Sequence, residues 1–368
     1  EQMRLEQQIR KQPPGYDRKC RFMSEAERKA HEASGVVPVI RLAVPLTGST
    51  TYHDLLHGDI TFDNEKIDDQ VLLKSDGFPT YHLAVVVDDH EMAISHITRG
   101  DDWISSGPKH ALLYQMFGWE MPVLAQLPIT LGADRKKLSK RHGSTSVVDF
   151  RDQGYLVEAM VNFLARLGWS YDDHTEIFSR ADLIQYFDLD KVHSSPAIFD
   201  MQKLDWFNGY YLRSLPPLEL AQRIRPFLDK AGIEVDNDIL LKVTPLIQDR
   251  MKVLTDAVAL TDFLFTDDVN PTAERMLGKA LSAADAAAAL EKVQQTLNGL
   301  PAFDDRSIEA ALRALAEQMG WKAGMLFTLI REAISAKSVT PPLFGTLAIL
   351  GRERTARRLQ KAIKVLQA

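Results

Sequence analysis

The chain holds a single cysteine, Cys20, among 368 residues. One thiol excludes an internal disulfide framework, so stability has to come from buried apolar surface, and the expected compartment is reducing. No apolar run approaches the roughly 20 residues that span a bilayer, and the first residues do not read as a signal peptide, which predicts a cytoplasmic protein with no membrane partner. A basic excess is also missing: 44 Lys and Arg stand against 50 Asp and Glu, a net charge of -6. That balance excludes a general nucleic-acid coat protein, although local basic patches on an acidic surface can still hold RNA. The initial segment, EQMRLEQQIRKQ, is helical in character yet has no Ser, Thr, Asp or Asn before it to cap a helix. The expectation is a chain whose true beginning lies upstream.

What is present centres on Lys137-Leu-Ser-Lys-Arg-His-Gly143. Lys137, Lys140 and Arg141, with the hydroxyl of Ser139 between them, put three cations and a donor on one short loop. Such a loop suits a polyphosphate, because cations aimed at the charge that builds as pyrophosphate departs lower the barrier. A lone K-x-x-K is usually a solvated basic turn, but the full K-[LM]-S-K-[SR] pattern arises by chance on the order of once in a thousand chains of this length.

Around the loop the pattern predicts an α/β region. A helix over 24–34 should start in a capping box made by Ser24 and Glu27. Short strands are expected at 39–44, 50–56 and 59–63, the last two joined at His57-Gly58, followed by strands at 70–74 and 80–87. The 80–87 run is apolar without alternation, as a strand buried on both faces should be. A strand at 94–98, a helix from Ser106 with Pro108 in its first turn to Phe117, and a strand at 123–131 complete a β-α-β unit. Ligands of open parallel sheets sit beyond the carboxyl ends of strands, where Arg99, Asp102, Trp103 and the lysine loop fall. Arg99, one residue past its strand, can hold a carboxylate in two parallel hydrogen bonds.

The remainder reads as helical. Leu156, Ala159, Met160, Phe163, Leu164 and Leu167 form an apolar stripe ended by Gly168, and a short helix follows at 179–187. Beyond Leu215-Pro216-Pro217, amphipathic helices are expected at 219–232, 238–265, 283–298, 307–319, 322–336 and 341–366. Arg352, Arg354, Arg357, Arg358, Lys361 and Lys364 give the last of them a basic face.

The KLSKRHG loop resembles the second signature of class I aminoacyl-tRNA synthetases, in the form typical of the bacterial-type glutamyl-tRNA synthetase family. SDGFPTYHLAVVVDDHEM (75–92), ITRGDDWISSGPKHALLYQMFGW (97–119) and KLDWFNGYYLR (203–213) are similar to the same family. The resemblance implies an α/β catalytic part, the second half of a Rossmann-like nucleotide-binding fold with an α+β insertion, followed by an all-α stem-contact and helical-bundle anticodon-binding region. On that frame 1–70 is the remainder of the insertion, 71–143 the second catalytic half, 144–215 the stem-contact domain and 216–368 the anticodon domain. Roughly the first hundred residues of the family, with its other ATP signature, are then expected upstream of Glu1. The helical tail is unlike the β-barrel anticodon domains of glutaminyl enzymes, which need many short strands.

The resemblance also implies roles. Lys137, Ser139, Lys140 and Arg141 belong to the ATP phosphates, with Lys140 the more direct transition-state stabiliser. Asp102, Trp103, Pro128 and Ile129 match the adenosine side. Arg99 would grip glutamate, and Tyr81 would line its pocket or else serve as a core aromatic; Val85 stands where some relatives place an asparagine. Magnesium would enter with ATP, and no general base is needed because the α-carboxylate of glutamate is already ionised. Some relatives hold zinc in the insertion, but here Phe22 replaces the final histidine after Tyr16 and Cys20, so no zinc and no protein-held metal is expected. Lys203 and Trp206 match positions that lie against tRNA(Glu), Trp206 reading equally well as a core aromatic. Arg250 falls where the last anticodon base is read, or is a solvated helical arginine. The first expectation is thus a monomeric glutamate-tRNA ligase using glutamate, ATP and tRNA(Glu). A non-catalytic tRNA-binding fragment is the second.

Overall fold

Alternation in Ser49–Asp54, with Thr50, Tyr52 and Asp54 turned inward, makes a strand with one face on the core. It sits within a chain that divides into two units, Glu1–Ser139 with Ala165–Phe199, and Lys140–Leu164 with Asp200–Ala368. The computed structural model describes residues 2–9, 15–139, 141, 143, 146–278 and 281–368.

In the first unit, α1 (Gln2–Ile9) and α2 (Glu25–Ala33) precede the short β1 (Ile40–Arg41). The capping box of α2 forms as expected: Ser24 Oγ accepts from Glu27 N, and the Glu27 carboxylate accepts from Ser24 N. β2 (Ser49–Asp54) and β3 (Gly58–Asp63) form the antiparallel hairpin, Gly58 supplying the positive φ of its turn. β4 (Val71–Leu73) pairs with β1.

Residues 80–87 correct the sequence expectation. They open α3 (Tyr81–Glu91), a helix rather than a doubly buried strand. An apolar run this short does not separate the two by periodicity. The helix buries His82 and Val86, one turn apart, and continues through polar Asp88 to Glu91. Thr80 stands at the N-cap position, but its hydroxyl donates to Val71 O.

β5 (His96–Gly100), α4 (Gly107–Phe117) and β6 (Val123–Leu127) form the expected parallel β-α-β unit. Ser106 occupies the N-cap position of α4 without a side-chain cap bond. The 123–131 strand is two: after β6 the chain breaks at Pro128 and Ile129, and β7 (Thr130–Leu131) pairs elsewhere. The four-stranded sheet runs β3-β2-β6-β5. Leu42, Val44, Ile67, Leu72, Val86, Leu112, Leu113 and Tyr114 form the core on which α3 and α4 pack.

Helices α5 (Val147–Gln153) and α6 (Val157–Ala165) belong mainly to the second unit. Of the predicted stripe, Leu156, Ala159, Met160 and Phe163 are buried, but Leu164 is exposed and Leu167 half-buried. The helix ends at Ala165, before the stripe does, so Leu167 has left its periodicity. Back in the first unit, α7 (Arg180–Tyr186) begins in a second capping box, Ser179 with Asp182, and β8 (Ala197–Ile198) pairs with β7.

The second unit continues with α8 (Met201–Ser214), α9 (Pro217–Lys230), α10 (Asn237–Ile247), α11 (Asp256–Phe265), α12 (Ala273–Leu277), α13 (Ala283–Asn298), α14 (Asp305–Gln318), α15 (Ala323–Ser335) and α16 (Leu343–Gln367). The single helix expected at 238–265 is interrupted by a 3-10 turn, Gln248–Arg250, and the loop after it, and α12 was not expected. α16 packs on α13, α14 and α15, and bends at Gly351, whose φ is +77°.

Half of the expected basic face of α16 is turned inward, whereas Arg357, Lys361 and Lys364 are exposed. Arg352 donates to the carbonyls of Leu297, Asn298 and Leu300 at the end of α13. Arg354 donates to Leu264 O, Thr266 O and Asp267. Arg358, 5% exposed, donates to Ile334 O, Phe263 O and Thr266 O. Helix C-termini leave carbonyls without intrahelical partners, and guanidinium forks satisfy them here in trans.

Candidate active site

The site is built from the hairpin outward. Asp54, fully buried at the end of β2, accepts from Leu56 N, His57 N and Gln126 N, which ties the hairpin turn to β6. The Gln126 amide donates to the Tyr52 hydroxyl, which donates to Ile104 O. These bonds pin the 3-10 turn Asp101–Ser106 between β5 and α4. The Tyr52 ring fills the place of a side chain at Gly107: a Cβ there would lie 2.2 Å from Tyr52 Cζ, so only glycine fits.

Three predicted residues meet on this frame. Arg99 lies within β5 at its carboxyl end, not one residue past it. Its guanidinium is 4.8 Å from the Trp103 ring centre and 5.2 Å from that of Tyr81, and the two rings are 5.3 Å apart. Two aromatic contacts hold the cation while leaving its N–H edges to a ligand. Among the described residues no carboxylate or carbonyl is hydrogen-bonded to it. Tyr81 is exposed at the first turn of α3, which excludes the core-aromatic reading, and Val85 lies one turn on, partly packed into the core. Arg99, Trp103, Gly100, Thr98 and Asp89 line an open cleft of about 490 Å³. Burial pushes the Asp89 carboxyl up, against the pull of Arg99. A larger hollow of about 920 Å³, bordered by Tyr16, Arg41 and Asp68, holds none of the candidate catalytic residues.

The lysine loop reaches the same strand end. Lys137 Nζ donates to Asp102 Oδ2 at 2.6 Å, and this bond holds the Asp102 carboxyl below its ordinary range. Leu131 bridges Lys137, and Leu138 N donates to Thr130 O, so the loop is laced to β7. Pro128 and Ile129, both half-buried, form the link between β6 and β7. Ser139 and Arg141 are exposed, and Lys140 lies outside the described residues.

Behind the aromatic pair sits a feature that sequence reading missed. His82 Nδ1 and His110 Nε2, both buried, are 2.8 Å apart. Burial, then the neighbouring His82, brings His110 down to about 4, and burial lowers His82 as well. No spacing signal joins two histidines on different helices.

In the second unit Trp206 is 43% exposed, which excludes the core-aromatic reading, and Lys203 Nζ lies 4.6 Å from its ring centre. Arg250 is exposed on the 3-10 turn rather than on a helix. Gln248 anchors that turn to α8 by donating to Leu212 O and Leu215 O. Arg331, not singled out from sequence, is lowered by burial and then by the charge of Arg250. Among the described residues no group of three His, Cys, Asp or Glu side chains could hold a metal, and no helix is long and apolar enough to cross a membrane.

A lysine loop bonded to the end of a parallel strand that carries an arginine fits the class I synthetase arrangement, and the family comparisons agree. Residues 1–206 match the family model described as tRNA synthetases class I (E and Q), catalytic domain, and 219–363 match an anticodon binding domain. A curated glutamate–tRNA ligase of Dehalococcoides mccartyi strain CBDB1 is 47% identical over 99% of this chain and 74% of its own length. One from Treponema denticola is 41% identical over 99% of this chain and 77% of its own. The crystal structure of a glutamate tRNA ligase from Elizabethkingia meningosepticum in complex with its amino acid superposes with a TM-score of 0.88 at 31% identity, over 99% of this chain and 77% of that one. The chain belongs to the glutamate–tRNA ligase family.

Proposed function

We propose that the protein activates glutamate with ATP and transfers it to tRNA(Glu), with the residues of the first unit in the following roles. Arg99, clamped by Tyr81 and Trp103, binds a carboxylate of glutamate in a charge-assisted pair that glutamine's neutral amide would forfeit. An α-carboxylate oxygen attacks the α-phosphorus of ATP, the bond to the bridging oxygen breaks, and pyrophosphate leaves. Lys137, Lys140 and Arg141 stabilise the charge gathering on that leaving group, with Ser139 as a further donor. Asp102, Trp103, Pro128 and Ile129 contact the adenosine side. A terminal ribose hydroxyl of the tRNA then attacks the adenylate carbonyl and releases AMP.

Magnesium would arrive on the ATP phosphates and keep its own waters, since no residue cluster is needed to cage it. Lys203 and Trp206, a cation on an exposed indole, suit a nucleic-acid backbone and a stacked base, and Arg250 suits a splayed anticodon base. We assign 144–215 to stem contact, and take the protein to be a cytoplasmic monomer.

The bond between Lys137 and Asp102 carries this reading, because it brings the loop to the 3-10 turn that bears Trp103 and directly follows the strand end with Arg99. The test is pyrophosphate exchange in the full-length protein, which should require both glutamate and tRNA. Lys140→Ala should depress turnover far more than substrate KM, and an unchanged rate would remove the loop from the mechanism.

A further inference from the structure

We infer that the buried His82–His110 pair is a positioning device for glutamate, holding the Tyr81 and Trp103 rings so that the Arg99 guanidinium keeps one orientation. The inference rests on the reading of Arg99 as the glutamate-binding residue. His82 follows Tyr81 in the first turn of α3, and His110 lies in the first turns of α4, so their bond ties the starts of two helices together. The His82 ring meets Tyr81 edge-on at 5.5 Å and Trp103 at 6.2 Å, so one ring touches both plates of the clamp. His110 lines, with Arg99, Trp103 and Gln126, a cavity of about 20 Å³ beneath the guanidinium.

The bond needs one N–H and one lone pair, so the two imidazoles cannot both be charged. Burial favours the neutral form of each. A neutral pair adds no second cation beneath Arg99, so attraction for a carboxylate stays at the guanidinium. Directionality matters as well: an apolar pair could fill the same volume but would not fix the ring planes. Tyr81 is 44% exposed, and the ring contacts that fix it are those to His82, Trp103 and Arg99.

In the full-length protein, glutamate KM, ATP KM and thermal midpoint separate these roles. His110→Phe should raise glutamate KM about tenfold and ATP KM by no more than about threefold, the smaller rise coming from Trp103, which also serves the adenosine side, and His110→Gln, which retains a polar atom, should recover most of both losses. Should His110→Phe not fold, His82→Phe against His82→Asn makes the same comparison on the other ring. An unchanged glutamate KM in a folded Phe variant, or equal rises for glutamate and ATP, overturns the inference. Arg99→Gln tells the two readings apart. If it leaves glutamate KM unchanged, the Arg99 assignment falls. If it raises KM while the histidine variants do not, only the positioning role falls. With both correct, Arg99→Gln combined with His110→Phe should be no worse than Arg99→Gln alone.

Discussion

Lys137 and Asp102 meet at 2.6 Å across 35 residues of chain. Each was legible in the sequence as a candidate, one on a cationic loop and one past a strand, but their bond is a property of the fold. It holds Lys137 beside Asp102, and on the proposed roles ATP would draw the lysine from that carboxylate to its phosphates.

Exchange of partners makes a prediction for each residue. Lys137→Ala should lower kcat about 100-fold, the loss typical of one transition-state donor. Asp102→Asn keeps the shape but removes the charge proposed for the adenosine side, and should raise ATP KM about threefold with little change in kcat, the weaker tether to Lys137 offsetting part of the loss. Steady-state pyrophosphate exchange distinguishes the two patterns, and identical effects from both variants would argue that the bond is only structural.

The histidine pair predicts an acid-sensitive first unit. His110 binds a proton near 6.5 in the unfolded chain but only near about 4 in the folded protein. The unfolded state therefore holds more protons between those values, and stability is lost as pH falls through that window. It is complete above the upper value, and below the lower one His110 adds no further loss. The gap corresponds to at most about 3 kcal/mol. Lys109 and Arg99 add to the shift, so their charges must be kept. Urea midpoints from pH 7 to 4.5 should fall less steeply for His110→Gln than for the parent, and equal slopes would contradict the assignment.

Signals local in sequence came through. Ser24 with Glu27 announced a helix start because a capping box is complete within four residues, and the box that Ser179 makes with Asp182 was equally local although only the helix itself was read there. The Gly58 turn and the β5-α4-β6 unit were legible for the same reason. Failures came where tertiary packing decides. Tyr81 to Val87 carries three valines and a strand-like run, yet it packs as a helix on α4. The site was legible by residue type at Arg99, Trp103 and Lys137, whereas the clamp of Arg99 by two rings and the histidines behind it depend on distances no linear pattern records. On α16, a row of arginines looks alike whether it meets solvent or carbonyls.

That difference is measurable. Arg358 joins the ends of α11 and α15 through three carbonyl oxygens, and burial brings it down to about 10. Arg358→Met should cost about 3 kcal/mol, since three buried carbonyls lose charged donors together. Arg358→Lys should recover little, because one ammonium does not reproduce the planar fork. Arg357, on the same helix but 62% exposed in its side chain, should be replaceable by Ala within about 0.5 kcal/mol. Thermal unfolding of the three variants tests this, and a stable Arg358→Met protein would restore the view of α16 as a solvated basic face.

The loop that follows the Arg250 turn packs on a glycine far from it in sequence. Gly154 has φ +91°, and a Cβ there would lie 2.8 Å from Leu254 N and Thr255 N. Both positions are already bonded across the same gap, Leu254 N to Gly154 O and Thr255 Oγ1 to Gln153 O. Fully buried Asn208 joins them by accepting from Leu156 N and donating to Lys252 O. Gly154→Ala therefore meets backbone that cannot rotate away, in a φ region that alanine avoids. It should destabilise the second unit by about 3 kcal/mol. Displacing 252–255 should also disturb the adjacent Gln248–Arg250 turn, so tRNA KM should rise while glutamate KM and ATP KM hold. A variant that loses stability but keeps its tRNA KM would show that the Arg250 turn is held by the Gln248 bonds to α8 alone.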